Sequence, residues 1–376
     1  MSATIRAIGT AVPPVTLRQE DAQALFAAQP GLGRLGERIV GAAFGASAVE
    51  ERHTAVVDLH EAHRPGDFVD ADGAIRSPST GFRNDRYREY AIPLFVDAAR
   101  DALAAADTAA EQVTHVVTVS CTGFTQPGPD LAIVTQLGMR PGVFRHHIGF
   151  MGCYAAFPAL RAAAAFCEAD PDAVVLVVCA ELCTLHVRAS DDPDQIVANS
   201  VFADGAAAAV VTSDLPSARF AADVNPDAAP VLRLDAFATA VIPEGADDMA
   251  WNIGDEGFEM VLSTAVPRLI EQHVAEAVAP VLAAAECSVS DVPLWAVHPG
   301  GRAILDRVEE ELGLAPEALV ASRDVLRRFG NMSSATVLFV LARMLRDRPE
   351  EGTRIVAIAF GPGLTVESAA LEVVLA

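Results

Sequence analysis

Two kinds of apolar run alternate along this chain. "REYAIPLFVDAARDALAAAD" sets Ile92, Leu94, Phe95, Ala98, Ala99 and Leu103 on one stripe at helical spacing. It leads into "VTHVVTVSCTGF", a β-branched run that predicts a buried strand ending at Cys121. After "GFMGC" comes an alanine-rich helix, then the strand "AVVLVVCAEL", then "FADGAAAAVVTSD". Later residues repeat the alternation. A helix is predicted over "GFEMVLSTAVPRLIEQHVAEAVAPVLAAA", a strand at "PLWAVHP", helices over "GRAILDRVEEELG" and after "GNMSSA", and a strand at "RIVAIAFGPG". Residues before about 90 read as irregular, with turns at "PPVT", "HRPGDF" and "SPSTGFRNDR". Strand–helix alternation predicts an α/β layered fold.

The terminal "FGPGLTVESAALEVV" echoes "FADGAAAAVVTSD": a Phe, a tight Gly turn, then a strand of small or β-branched residues. With 376 residues, too many for one ordinary core, this predicts two halves of like topology. The halves are taken as 1–220 and 221–376, joined near "LPSARFAADVNPDAAP".

Composition changes the picture mainly by exclusion. Hydrophobic residues make up 52%, which rules out a disordered chain. No uninterrupted apolar run reaches the roughly 18 residues that span a bilayer. "MSATIRAIGTAVPP" lacks the charged-then-apolar pattern of a signal peptide, so a cytoplasmic protein is expected. A net charge of −23 argues against nucleic acid or anionic lipid as a partner. Every one of the 27 basic residues is Arg, so Schiff-base chemistry, pyridoxal phosphate attachment and a P-loop lysine are excluded together. Six cysteines form no C-x-x-C pair or zinc-like spacing, so no metal site is expected.

Three polar residues stand where an apolar or turning residue would be ordinary. Cys153 lies at the start of a helix, where unpaired N–H groups favour a thiolate; the alternative is a small core residue. His298 follows a strand in "LWAVHPGG", where Pro299 and two glycines end the strand and expose the imidazole; a satisfied strand-end histidine is the alternative. Asn331 follows Gly330 ahead of a helix, where an N-cap is the default reading. Together, a thiol, an imidazole and an amide are chemically complete for acyl transfer through a thioester. Papain-like proteases share the order Cys, His, Asn and similar spacing, here 145 residues from 153 to 298, but their local cysteine signature is missing.

"GFMGC", "WAVHPGG", "GNMSSA" and "AFGPGLTVE", in this order, resemble the type III polyketide synthases, the chalcone and stilbene synthase superfamily. The resemblance runs from about Arg88 to the C-terminus. It implies a thiolase-like fold of two pseudo-symmetric βαβ halves in a layered α/β/α arrangement, working as a homodimer. It makes Cys153 the nucleophile, and His298 with Asn331 the pair that supports malonyl decarboxylation. Phe202 matches the gatekeeper ring of the substrate cavity and Phe258 a second ring, with ordinary core packing as the alternative for both. Gly361, Pro362 and Gly363 match the loop that shapes the cavity floor. Cys121 stands where plant enzymes carry a pocket threonine, His186 falls near another pocket position, and Gln126 replaces a methionine that reaches the partner subunit.

For the coenzyme A phosphates the resemblance offers Arg52 and Arg302, against the alternative of solvated surface arginines. It implies an acyl-CoA starter and malonyl-CoA as substrates, with no metal or other cofactor. The pocket departures resemble bacterial branches making resorcinols, pyrones or related aromatics. A ketoacyl synthase III fed by acyl carrier protein shares the fold and the Cys–His–Asn set, and a catalytically silent partner subunit is the remaining alternative. An acidic surface suits an acidic carrier protein poorly.

Overall fold

The computed structural model of the protein describes residues 3–213 and 229–375. Its first half runs through β1 (Ala3–Ala11), β2 (Val15–Arg18), α1 (Gln19–Ala27), α2 (Arg34–Ala46), β3 (Glu51–Thr54) and α3 (Thr80–Ala105). It continues with β4 (His115–Ser120), α4 (Pro129–Gln136), β5 (Phe144–Gly149), α5 (Ala156–Ala169), β6 (Val174–Leu182), α6 (Pro193–Val201) and β7 (Asp204–Ser213). The second half holds β8 (Pro230–Val241), a hairpin of β9 (Met249–Gly254) and β10 (Gly257–Leu262), and α7 (Val266–Ala284). Then come β11 (Leu294–Val297), α8 (Arg302–Leu312), α9 (Val320–Phe329), α10 (Thr336–Arg346), β12 (Arg354–Gly361) and β13 (Thr365–Leu375). The expected joint near "LPSARFAADVNPDAAP", and with it the boundary at 220/221, lies almost wholly outside the described residues.

Nine strands form one sheet in the order β11-β12-β13-β8-β1-β7-β6-β4-β5. The order is palindromic in kind about the antiparallel β1–β8 pair. Going outward, β1 meets β7 antiparallel, β7 meets β6 antiparallel, and β6 meets β4 parallel. On the other side β8 meets β13 antiparallel, β13 meets β12 antiparallel, and β12 meets β11 parallel. Helices correspond too: α3 and α7 follow the inner strands, while α5 and α10 precede β6 and β12. Two halves of like topology are therefore present.

Strand alternation explains the layers. In β6, Val175, Val177 and Cys179 face a core shared with α5 and α10, while Val174, Leu176 and Val178 face a core shared with α3. In β12, Ile355, Ala357 and Ala359 face the same central core, while Val356, Ile358 and Phe360 face the core under α7 and α8. The layers are thus five deep: α3, one half-sheet, α5 with α10, the other half-sheet, then α7. Every residue of β6 is buried, because both of its faces are covered.

Two stretches differ from the sequence expectation. Residues before 90 are not irregular: β1, α1, α2 and the opening turns of α3 lie there. Three glycines in α2 ("RLGERIVGAAFGA") hide its helical pattern, and Ser79 caps α3 by accepting from the Phe82 N–H, so "SPSTGFRNDR" is a helix start. The long helix expected from Gly257 begins only at Val266; "GFEMVL" is instead β10, paired with β9. Among the described residues no helix is long and apolar enough to cross a membrane.

The contact between β1 and α3 gives a stability test. A Cβ on Gly9 would lie 2.1 Å from the Ala102 nitrogen and 2.7 Å from the Ala98 oxygen, both backbone atoms that cannot swing aside. Gly9→Ala should cost about 2 kcal/mol or more and lower Tm by several degrees. Gly41→Ala in α2, with open space around its Cβ, should leave Tm unchanged or raise it. Equal effects in a thermal melt would refute this packing.

Candidate active site

Cys153 is presented by a turn that two glycines make possible. After β5 the chain reverses through Phe150 (φ +59°) and Gly152 (φ +81°), and the Ala155 N–H donates to the Gly152 carbonyl at 3.0 Å. A Cβ on Gly152 would stand 2.4 Å from the Pro362 ring. One on Gly361 would stand 2.5 Å from the Tyr154 ring and 3.4 Å from the Cys153 nitrogen. The turn from one half and the β12–β13 turn from the other therefore press together across the seam. Gly363 (φ +73°) donates its N–H to the Met249 carbonyl at 2.9 Å, tying that turn to the β9–β10 hairpin. Cys153 itself precedes the first residue of α5 by three positions.

His298 continues the β11 ladder, its N–H donating to the Ile358 carbonyl at 2.7 Å, before the chain turns at Gly300. Its side chain is 1% exposed, so the glycines after it open a buried chamber to the imidazole, not solvent as expected. Neither ring nitrogen has a hydrogen-bond partner. Asn331 is clamped by its backbone: its N–H donates to the Val201 carbonyl at 2.8 Å and its carbonyl accepts from Ala203 at 2.9 Å, bracketing Phe202. Asn331 Oδ1 accepts from the Ser333 N–H at 2.8 Å, a side-chain turn and not the expected N-cap, since α10 begins only at Thr336 behind Ala335. That bond fixes the amide's direction. The Nδ2 group is left to donate, to the Cys153 sulfur and, at a long 3.4 Å, to the Gly300 carbonyl.

These three side chains line one enclosed chamber with Cys121, Phe202 and Pro362. The β9–β10 hairpin supplies its far wall through Met249, Trp251, Met260 and Leu262. A second chamber adjoins it, sharing Cys183, Phe202, Trp251 and Met260, and reaching Phe26, Leu59 and Ala198. Phe202 thus stands between the two.

Burial dominates the electrostatics. It pushes the Cys153 thiol up to about 11, opposed by hydrogen bonds from Ser333, Asn331 and its own N–H, and reinforced by nearby Glu181. The thiolate expected from a helix start is thus not the resting form. Burial alone draws His298 down to about 3, so its imidazole is neutral. Glu181, fully buried, accepts from the Ser120 hydroxyl at 3.2 Å, the Cys121 N–H at 2.9 Å and the Thr122 hydroxyl at 2.8 Å, and also from Ser334.

Other expected residues fall differently. Phe258 does not line the Cys153 chamber. It sits at the outer end of β10, stacked 4.1 Å from His186, while Met260 and Leu262 on the same strand face take the inner positions. His186 is a strut of the second chamber: its Nδ1 accepts from the Phe258 N–H at 3.0 Å, so Nε2 donates to the Thr122 carbonyl at 2.8 Å. Arg52 is no phosphate anchor. It is 3% exposed, and its guanidinium donates to the Asn199 carbonyl at 2.7 Å, the Phe202 carbonyl at 2.8 Å and Gln19 Oε1 at 2.6 Å. Burial lowers it to about 10. Arg302 is half-exposed just beyond Gly300, 3.8 Å from Asp306.

Sequence reading missed Glu181, Ser333 and the hairpin wall. A single carboxylate inside the apolar run "VVLVVCAEL" was the signal for Glu181. Period-two alternation of Phe258, Met260 and Leu262 was the signal for β10.

Comparison with known proteins agrees with this geometry. Residues 1–215 match the N-terminal domain of chalcone and stilbene synthases, and residues 233–375 match their C-terminal domain. The chain is 35% identical over 303 residues to the alpha-pyrone synthesis polyketide synthase-like Pks18 of Mycobacterium tuberculosis, covering 80% of this chain and 75% of that protein. Among solved structures it is similar to PKS-I of the brown alga Ectocarpus siliculosus, with a TM-score of 0.89, 30% identity, and 99% and 98% of the two chains covered. It also resembles the C-terminal type III polyketide synthase domain of Steely1 from Dictyostelium, with a TM-score of 0.86, 26% identity and 99% of each chain covered.

The buried neutral histidines predict an acid-sensitive fold. His298 and His186 both fall from 6.5 to about 3 on burial. Unfolding lets them protonate below about 6.5, so stability is full above that pH and lost as pH falls toward 3, by about 1.4 kcal/mol per unit for each. Thermal melts from pH 7.5 to 5 should show Tm falling less steeply in His298→Gln than in the parent. Identical slopes would contradict the assignment.

Proposed function

This chain belongs to the chalcone and stilbene synthase family, the type III polyketide synthases, and from that premise we propose that it builds a polyketide on Cys153 from an acyl-CoA starter and malonyl-CoA. It is an acyltransferase-type enzyme with the thiolase-like fold. One observation carries the assignment of roles: a buried imidazole with two unpartnered nitrogens shares an apolar chamber with a thiol and an amide N–H that donates to that thiol's sulfur.

The chemistry follows from those groups. Cys153 gives its proton to His298 as its sulfur attacks the starter thioester, and coenzyme A leaves carrying that proton. Malonyl-CoA then loses CO₂, and the electron pair of the broken C–C bond forms an enolate. The Asn331 amide and an N–H of His298 are the donors for the enolate oxygen, already held in place before charge develops. The enolate carbon attacks the Cys153 thioester, a C–C bond forms, and the sulfur departs as thiolate. The lengthened chain, now on coenzyme A, returns to Cys153 for another round. Phe202 and the hairpin wall keep water from the reactive β-keto chain. This sequence asks for no resident cofactor or metal, since side-chain donors hold the enolate.

The second chamber is the room for the starter's tail. Its polar residues Thr184, His186, Gln195 and Asn199 are hydrogen-bonded within the protein, as are the terminal nitrogens of Arg52, and the rest of its lining is largely apolar, so it suits an apolar acyl group. A pyrone or resorcinol is the product class we take for such a starter. We further propose a cytoplasmic homodimer. The edge strand β5 is exposed along most of its length, with Phe144 64% exposed and Phe124 nearby 43% exposed. Gln126 lies on that same face, beside Phe124, Arg145 and His147.

Purified protein incubated with malonyl-CoA and acyl-CoAs from acetyl to long-chain should yield pyrones or resorcinols by mass spectrometry. Cys153→Ala should form none. Normal elongation by Cys153→Ala, or no product with any acyl-CoA, would overturn this reading.

A further inference from the structure

Ser333 adopts a backbone conformation that serine rarely takes, with φ +47°, beside the nucleophile. Its N–H orients the Asn331 amide. Its hydroxyl lies 3.3 Å from the Cys121 sulfur and also reaches the sulfur of Cys153. One hydroxyl carries one proton, and two sulfurs are within its reach.

The two sulfurs are not equivalent. Glu181 offers the Cys121 thiol a carboxylate for its own proton, which leaves that sulfur a neutral, weak acceptor. A Cys153 thiolate is a strong acceptor, because hydrogen bonds to charged groups are about twice as strong. We propose that the Ser333 hydroxyl turns from Cys121 to Cys153 when Cys153 ionises, and that this donated proton holds the thiolate ready for acyl-CoA. The proposal rests on Cys153 being the nucleophile.

The groups facing Cys153 leave that task to few donors. Glu181 from β6 is a carboxylate and opposes a second negative charge. Cys183, just after β6, and Cys121, just after β4, are both held as thiols by burial. His298, after β11, is neutral and unpartnered. Ser333 and Asn331, ahead of α10, are the side chains that hydrogen-bond to the Cys153 sulfur. Glycine at 333 would relieve the backbone but remove the donor.

The test is the pH dependence of Cys153 alkylation by iodoacetamide in the full-length protein, read on the Cys153 peptide by mass spectrometry. In Ser333→Ala and Ser333→Gly the midpoint should rise, slowing alkylation about tenfold at a fixed pH below both midpoints, with the high-pH plateau unchanged. Ser333→Gly relaxes the strained backbone, so agreement between the two variants isolates the hydroxyl from strain. Cys121→Ala, which enlarges the same wall and removes only the competing acceptor, should not raise the midpoint. The proposal fails if both Ser333 variants keep the parental midpoint, or if Cys121→Ala raises it equally. Alkylation of Cys153 that leaves product formation intact would overturn the nucleophile assignment beneath it.

Discussion

A buried imidazole with both nitrogens unpartnered is a costly thing to fold, roughly 1–3 kcal/mol for each polar group left unsatisfied. This chain keeps one, His298, in the wall of the chamber that holds Cys153. Around it the neighbouring polar groups are spoken for. Asn331 Oδ1 is held by the Ser333 N–H, and Glu181 by Ser120, Cys121, Thr122 and Ser334. What stays open is the imidazole, with the Asn331 Nδ2 beside it donating to the Cys153 sulfur. Burial that keeps His298 neutral also keeps Cys153 protonated until a thioester arrives. Cys153 and His298 are thus both neutral at rest and become charged only along the reaction.

The duplicated architecture accounts for how these groups meet. Cys121 and His298 directly follow the corresponding strands β4 and β11. Cys153 and Asn331 precede the corresponding helices α5 and α10, which lie side by side in the central layer. Equivalent positions in the two halves therefore carry four different side chains aimed at one point. The seam brings them close because glycine stands on both sides of it, at Gly152 and Gly361. Both corners of the seam are packed tight against a ring, Pro362 at one and Tyr154 at the other, so the thiol's position is set by the docking of the halves.

Much of this was legible in the chain. β4, β6, β7, β11 and β12 follow from short continuous small or β-branched runs, the pattern of a strand covered on both faces. The trio Cys153, His298 and Asn331 came from four motifs whose order resembles a known family, since each residue alone had an ordinary structural reading. Less legible was anything set by tertiary packing. Glycines hid α2, and one hydrophobic stretch was split into β10 and α7, the short period-two signal of β10 being masked by the helical stretch that follows it. The resemblance offers Arg52 for the coenzyme A phosphates, yet its side chain is buried and one of its terminal nitrogens donates to the carbonyls of Asn199 and Phe202, a choice made by partners distant in sequence. Phe258 and Met260 sit two apart on one strand face, and only the hairpin's register decides which meets the chamber.

The central claim is that His298 is retained for chemistry against the stability of the fold. Its most direct test is CO₂ release from malonyl-CoA by His298→Leu, measured beside the variant's Tm. The account predicts a Tm equal to or above the parent, because an unsatisfied buried group is gone, and CO₂ release lowered about a hundredfold or more. CO₂ release within a few-fold of the parent, from a folded His298→Leu, would contradict it.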